Sequence, residues 1–153
     1  MGRTFRLMVW TAVISTLMLL ITPVFAQEEQ PVCPADLNLN LPIQGVVIEQ
    51  TANRAELDFT VCNGSDQATE LEFVATGVPE GWKAAVRPNF GPYEITNVTL
   101  AAGDSKDYRL RITPPSDDIS ASDFTIQFQL LSSTENVLLE ESISVKQEAG
   151  EEV

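Results

Sequence analysis

The chain has 153 residues, 44% of them apolar, and its 22 acidic against 9 basic residues give a formal net charge of −13. This charge argues against nucleic-acid and anionic-membrane partners, because Lys and Arg side chains supply most of the affinity for both. The absence of His removes the usual proton shuttle, the commonest metal ligand and the base of Ser-His and Cys-His pairs. We therefore predict a protein that is not an enzyme and holds no cofactor or metal.

The N-terminal segment has the layout of a signal peptide. Arg3 and Arg6 precede an apolar run at residues 7–21. Val24 and Ala26 stand at the −3 and −1 positions that signal peptidase reads. We predict a cleaved signal peptide.

Cleavage of residues 1–26 would leave a mature protein that begins at Gln27 and lies in the periplasm or outside the cell. The apolar run, of about 15 residues, is short for a membrane span. An uncleaved N-terminal membrane anchor is the alternative.

Apolar and polar residues alternate along most of the mature chain, which is typical of strands with one buried face. The alternation begins at residues 37–41, and strands at 57–61 and 71–75 follow on either side of a tight connection at 63–66. Further strands are expected at residues 98–100, 108–112, 124–130 and 139–145, the last with a bulge or kink.

Gly and Pro residues stand where the alternation stops, and no run of ten or more residues has helical spacing. Short strands at this spacing predict an all-β fold, an immunoglobulin-like antiparallel β-sandwich of about seven to nine strands. A small barrel is the main alternative. The domain should span residues 32–146, followed by an acidic disordered tail at 147–153.

Cys33 and Cys62 are the only cysteines, an even number in a chain with a predicted export signal. If residues 37–41 pair antiparallel with 57–62 through a connection near 48–53, the two cysteines lie side by side. We predict a disulfide between them, and its separation of 29 residues corresponds to a stabilisation of about 3 to 4 kcal/mol.

Four spaced motifs resemble the NEW3 domain, also called the NPCBM-associated domain of α-galactosidases. Residues 61–65 (Val-Cys-Asn-Gly-Ser) are similar to the family's Val-x-Asn-x-Gly, and 78–82 (Val-Pro-Glu-Gly-Trp) match its Val-Pro-x-Gly-Trp. Residues 100–105 resemble its Leu-x-Pro-Gly-x-Ser turn without the Pro, and 112–115 its Val-Thr-Pro-Pro. The resemblance covers residues 36–132.

This resemblance implies an immunoglobulin-like module of secreted bacterial and archaeal proteins, and it carries over no catalytic residue. We expect a secreted, non-enzymatic module for interaction or spacing at the cell surface, with an extracellular protein or a cell-envelope polysaccharide as partner. The alternative is a carbohydrate-binding module that acts with polysaccharide-degrading enzymes. Gly64 stands one place early for the family pattern, and Ser122 replaces its usual Gly.

Trp82 and Tyr93 are the candidate ligand platform, because an aromatic ring can stack on a sugar ring. Large aromatic side chains are more often buried than presented to a ligand. We therefore expect Trp82 to close the end of the sandwich rather than to bind.

Two other patterns point to less specific chemistry. Five aspartates in predicted turns could offer oxygens to calcium but have no calcium-loop spacing, and we expect them to be solvated: Asp104, Asp107, Asp117, Asp118 and Asp123. Asn63 and Asn97 each begin a glycosylation acceptor pattern.

Overall fold

The structure is a computed structural model that describes residues 33–49, 52–115 and 121–149. The predicted signal peptide at 1–26 and the last residues of the predicted tail, 150–153, lie outside the described residues. The described part of the chain is entirely β, with no helix. None of it therefore forms a helix that could cross a membrane.

Nine strands follow one another along the chain. In chain order they are β1 (Leu37–Asn40), β2 (Gly45–Ile48), β3 (Ala55–Asn63), β4 (Thr69–Thr76), β5 (Lys83–Pro88), β6 (Asn97–Leu100), β7 (Ser105–Thr113), β8 (Ser122–Ser132) and β9 (Val137–Gln147). They form a four-stranded sheet in the order β1-β3-β7-β5 and a five-stranded sheet in the order β2-β9-β8-β4-β6. The predicted immunoglobulin-like β-sandwich is confirmed.

The pairing departs from a wholly antiparallel sandwich at one edge. β2 pairs parallel with β9, whereas the other strand pairs are antiparallel. The chain leaves the four-stranded sheet after β1 and joins the other sheet as β2. The predicted pairing of β1 with β3 is correct, with Leu39 opposite Val61. The connection between them, however, contains a strand that the alternation did not predict.

A second strand, β5, was also missing from the predicted set. In its sequence, Lys-Ala-Ala-Val-Arg-Pro, the inward positions are the small Ala84 and Val86, so the alternation of large apolar residues is absent. β3 and β4 belong to different sheets, so the tight connection between them passes across the sandwich instead of closing a hairpin.

The core lies between the sheets, where aromatic rings meet at its centre. The Phe59 ring centroid is 5.0 Å from that of Phe128, 5.7 Å from Tyr108 and 5.8 Å from Phe73. Around them pack the alternating aliphatic residues of both sheets, among them Leu57, Val61, Leu71, Leu100, Leu110, Ile112, Ile126, Leu130, Ile143 and Val145. This burial is the main source of the domain's stability.

The irregularity in β9 lies earlier than predicted. The register with β8 shifts between Leu130 and Leu131, which leaves Leu138 as the extra residue. From Leu139 onward the inward positions recur every second residue, and the strand ends at the buried Gln147. The strand thus extends one residue into the segment predicted to be a tail.

Candidate binding surface

The predicted disulfide is present and ties the start of the described chain to the outer face of the four-stranded sheet. Cys33 is bonded to Cys62, with Cα atoms 5.5 Å apart. Cys62 lies opposite Asn38 of β1, as the antiparallel pairing requires. The bond therefore holds the segment before β1 against the end of β3.

Asn63 connects two loops, the one between β3 and β4 and the one between β6 and β7, at the same end of the sandwich. It is only 1% exposed, and its side-chain amide donates hydrogen bonds to the carbonyls of Gln67 (2.8 Å), Ala101 (3.1 Å) and Leu100 (3.2 Å). Its Oδ1 accepts hydrogen bonds from the hydroxyl (2.7 Å) and backbone amide (3.2 Å) of Ser65. The Asn of the resembling motif is therefore structural here, and burial keeps it from a glycosylating enzyme in the folded domain.

Gly64 follows Asn63 at a close approach of two backbones. Its amide donates to the Asp36 carbonyl (3.2 Å), and a Cβ at this position would lie 1.4 Å from the Pro34 carbonyl oxygen. Only glycine fits such a contact, because the obstructing atoms belong to backbone.

The most exposed aromatic side chains of the described residues lie together in the connection between β5 and β6. Phe90 is 89% exposed and Tyr93 61% exposed, and the chain between them is Gly91-Pro92. We call residues 89–94 the aromatic loop. The sequence analysis singled out Tyr93 and missed Phe90. The signal that could have indicated both is a turn in which two aromatic residues flank Gly91 and Pro92.

The aromatic loop is fastened at its C-terminal end. Glu94 forms ion pairs with Lys83 (2.7 Å) and Arg87 (3.6 Å), and the next residue, Ile95, donates its amide to the Val86 carbonyl (2.9 Å). The hydrogen bond from Lys83 lowers the pKa of Glu94 below its usual value, against a smaller opposing effect of burial. Phe90 and Tyr93 are thus presented by a loop that is tied to the edge of the four-stranded sheet.

Gly91 gives the aromatic loop its shape. Its φ of +118° is one that L side chains rarely adopt, and a Cβ there would lie 2.7 Å from Cε1 of Tyr93. The Tyr93 ring therefore lies directly against the glycine, which limits the orientations open to it.

The cavity beside this loop is small. About 110 Å³ of space lies between the sheets, lined by Ala75 and Ala84 together with Phe73, Phe128, Ile95 and Glu94. Pockets that bind small molecules usually enclose about 300 Å³ or more. The exposed loop, rather than this cavity, is the surface that offers a binding site.

Trp82 is not part of the aromatic loop. It is half-buried, and its ring meets Phe124 edge-on with centroids 4.7 Å apart. Trp82 precedes β5 and the aromatic loop follows that strand, and the chain then folds back so that Glu94 pairs with Lys83 (2.7 Å). The Trp82 ring thus packs on Phe124, whereas the Tyr93 ring lies against Gly91.

This position predicts that Trp82 contributes to stability. Trp82→Ala should lower the free energy of unfolding by about 2 kcal/mol, roughly half the usual loss for a fully buried Trp, because part of the ring is already in solvent. Urea denaturation measures this loss. Tyr93→Ala is the matched control and should change stability by less than about 0.5 kcal/mol. A Trp82→Ala protein as stable as the wild type would contradict the packing role.

Basic side chains gather on the outer face of the four-stranded sheet. Glu56 forms ion pairs with Arg111 (2.6 Å), Arg109 (3.3 Å) and Arg54 (3.3 Å), and Asp58 pairs with Arg109 (2.7 Å). Partial burial acts to raise the pKa of Glu56, but the hydrogen bond from Arg111 and the three arginine charges outweigh it. The pKa is therefore held below its usual 4.5.

A lowered carboxyl pKa predicts how stability depends on pH. The contribution of Glu56 is complete above its unfolded-state pKa and is lost as the pH falls through the lower pKa of the folded state. The free energy of unfolding of Glu56→Gln should therefore fall less than that of the wild type between about pH 5 and pH 3. Glu70→Gln, on the other sheet, is the control because it leaves the ion pairs of Glu56 intact. Identical pH profiles for wild type and Glu56→Gln would contradict the prediction.

The candidate calcium ligands within the described residues do not form a cluster. The Asp107 carboxylate accepts a hydrogen bond from the Thr60 hydroxyl (2.6 Å). The backbone carbonyl of Asp104 accepts one from the backbone amide of Asn63 (2.8 Å). Asp117 and Asp118 lie outside the described residues. In the ranges 33–49, 52–115 and 121–149, no three acidic or cysteine side chains are arranged to hold a metal ion.

Comparison with known proteins shows the fold alone. No family model and no curated protein matches the sequence. The chain is similar to a family 123 glycoside hydrolase from Clostridium perfringens (5% identity, TM-score 0.53, 76% of this chain but 28% of that one). It is also similar to the N-terminal domain of PorA, with 13% identity and a TM-score of 0.50 over 76% of this chain and 100% of that one. A FixG-related protein from Vibrio parahaemolyticus has 16% identity and a TM-score of 0.49 over 73% of this chain and 94% of that one.

Proposed function

We propose that the chain is an exported, non-enzymatic interaction module of the NEW3 type, which contacts its partner through the aromatic loop. The observation that carries this proposal is the presentation of Phe90 and Tyr93 to solvent on a fastened loop. Exposed aromatic side chains are enriched at the centres of protein interfaces, where each one removes a large apolar area from water on binding.

The disulfide supports export. Bonds of this kind form and persist outside the cytoplasm, and Cys33 and Cys62 leave no free cysteine in the described chain. Together with the predicted signal peptide, the bond favours a periplasmic or extracellular protein over a cytoplasmic one.

A protein partner is favoured over a polysaccharide by the chemistry of the loop. Sugar platforms combine a ring face with polar groups that bind hydroxyls. Phe90, the more exposed of the two rings, has no polar atom, and the third aromatic candidate, Trp82, packs against Phe124. Tyr93 is the residue that keeps the carbohydrate alternative open, because its ring lies against Gly91 and its hydroxyl can bind a sugar.

The size of the native complex tests this proposal. Extracts of cells that export the chain would be separated by native electrophoresis for the wild type, for Phe90→Ser/Tyr93→Ser, and for a polar control, Thr99→Ser/Gln129→Ser. We expect the wild type and the control to migrate in a complex, and the loop variant to migrate as the free chain. Treatment of the extract with protease should dissolve the complex.

Two results would overturn the proposal. A loop variant that stays in the complex would remove the aromatic loop from the interface. A complex that resists protease but dissolves with polysaccharide-degrading enzymes would establish the carbohydrate-binding alternative.

A further inference from the structure

One half of β9 has no neighbouring strand on its outer side. β9 runs over eleven residues, but β2 pairs with only the last four, from Ser144 to Gln147. Within the part of the chain that the structure describes, no strand lies along the outer side of residues 137–143. Pro42 stands three residues before β2 and has no amide hydrogen with which to extend the ladder along residues 137–143.

The backbone groups on this open side can be identified. Ser144 donates its amide to the Gln44 carbonyl (2.9 Å), so Ser144 faces the β2 side of the strand. Backbone groups alternate in direction along a strand, and Glu140 and Ser142 therefore point their amides and carbonyls to the same side. These four groups form a template for one more strand.

Apolar side chains surround this edge. Six large apolar side chains are exposed in the described chain, and four of them belong to β2, its lead-in or the start of β9, with 41–56% of their surface in solvent: Ile43, Val47, Val137 and Leu138. On the inner side, Leu37 and Leu139 are only partly buried against the core. An added strand with apolar side chains could cover both groups.

The negative charge along this edge of β9 favours a positively charged strand as the partner. Glu135, Glu140 and Glu141 lie along or beside it, in a chain of net charge −13. Pairing of β9 with β9 of a second copy would place like charges across the new ladder, which is unfavourable. Lys or Arg side chains on a different partner would instead meet the glutamates.

We propose that residues 137–142 of β9 accept an extended segment of a partner protein, in which apolar residues alternate with Lys or Arg, as an additional strand of the five-stranded sheet. Backbone hydrogen bonds to Glu140 and Ser142 supply the pairing, and the flanking glutamates supply the selectivity for basic segments. This surface is separate from the aromatic loop, which follows β5 at the edge of the other sheet.

Amide hydrogen exchange of the disulfide-bonded domain tests the proposal, with a synthetic peptide of about seven alternating valine and lysine residues as the probe. Addition of the peptide should slow exchange at Glu140 and Ser142 by about tenfold or more. Amides of β6, at the opposite edge of the same sheet, should not change.

Matched variants separate pairing from side-chain effects. Ser142→Pro removes one outward amide without breaking the ladder to β8, and should weaken peptide binding by about tenfold or more. Ser142→Ala loses the same hydroxyl bond to Gln127 and keeps the amide, so it should bind like the wild type. A peptide with glutamate in place of lysine should bind at least about tenfold more weakly.

Three results would overturn the proposal. The first is unchanged exchange at Glu140 and Ser142 at saturating peptide. The second is equal binding of the lysine and glutamate peptides. The third is protection of these amides that rises with protein concentration in the absence of peptide, because a second copy would then be the occupant.

Discussion

Asn63→Asp is expected to remove a large part of the domain's stability. The change replaces a buried amide that donates to three carbonyls with an oxygen that cannot donate when ionised, so the carbonyls of Gln67, Leu100 and Ala101 lose their partner. A lost hydrogen bond in the interior and a buried, unpaired charge together should cost at least about 4 kcal/mol. Domains of this size are stable by only about 5 to 15 kcal/mol. Circular dichroism with urea titration measures the loss.

Asn97→Asp is the matched control, because Asn97 begins the other acceptor pattern and is exposed on β6. It should shift the free energy of unfolding by less than about 0.5 kcal/mol. An Asn63→Asp protein as stable as Asn97→Asp would show that the two loops do not depend on this side chain.

Gly64→Ala is expected to lower the melting temperature by about 10 °C or more. The added Cβ would lie 1.4 Å from the Pro34 oxygen, and the segment that carries Pro34 is fixed by the disulfide at Cys33 and cannot move freely. Relief of the overlap requires separation of two backbones and should cost about 2 to 3 kcal/mol. Calorimetry of the oxidised protein measures the shift.

Two controls make the steric origin testable. Gly45→Ala adds the same atom where the nearest neighbour is 3.9 Å away, and should leave the melting temperature almost unchanged. In a Cys33→Ser/Cys62→Ser background the segment before β1 is released, so Gly64→Ala should cost less there than in the oxidised protein. Equal effects of Gly64→Ala in both backgrounds would contradict the proposed clash.

The alternation of apolar residues was sufficient to predict the sandwich, because most strands bury one face and keep residues such as Leu57, Phe59 and Val61 in register. It was insufficient for β2 and β5. β2 (Gly-Val-Val-Ile) has no polar residue between its apolar ones, and β5 has the small Ala84 at an inward position, so neither has the contrast between large apolar and polar residues that the prediction needs. The parallel pairing of β2 with β9 depends on contacts between distant parts of the chain, and no local sequence pattern predicts it.

The binding surface was less predictable than the disulfide. Two cysteines allow one pairing, whereas exposure of Phe90 depends on where the connection after β5 leaves the sheet. The role of Asn63 was equally hidden, because its three acceptor carbonyls come from two loops, one of them more than thirty residues away. An exposed glycosylation acceptor and a buried structural asparagine can stand in the same Asn-x-Ser/Thr sequence pattern.

Site-specific photocrosslinking at residue 90 tests the proposed function most directly. A benzophenone amino acid in place of Phe90 keeps an aromatic ring at the tip of the loop, and the same amino acid in place of Thr99 on β6 serves as the control. Illumination of cells that export the chain should join residue 90, and not residue 99, to a distinct second protein identified by mass spectrometry. Equal yields at the two positions, or adducts at residue 90 with glycans alone, would contradict a protein-interaction module that acts through this loop.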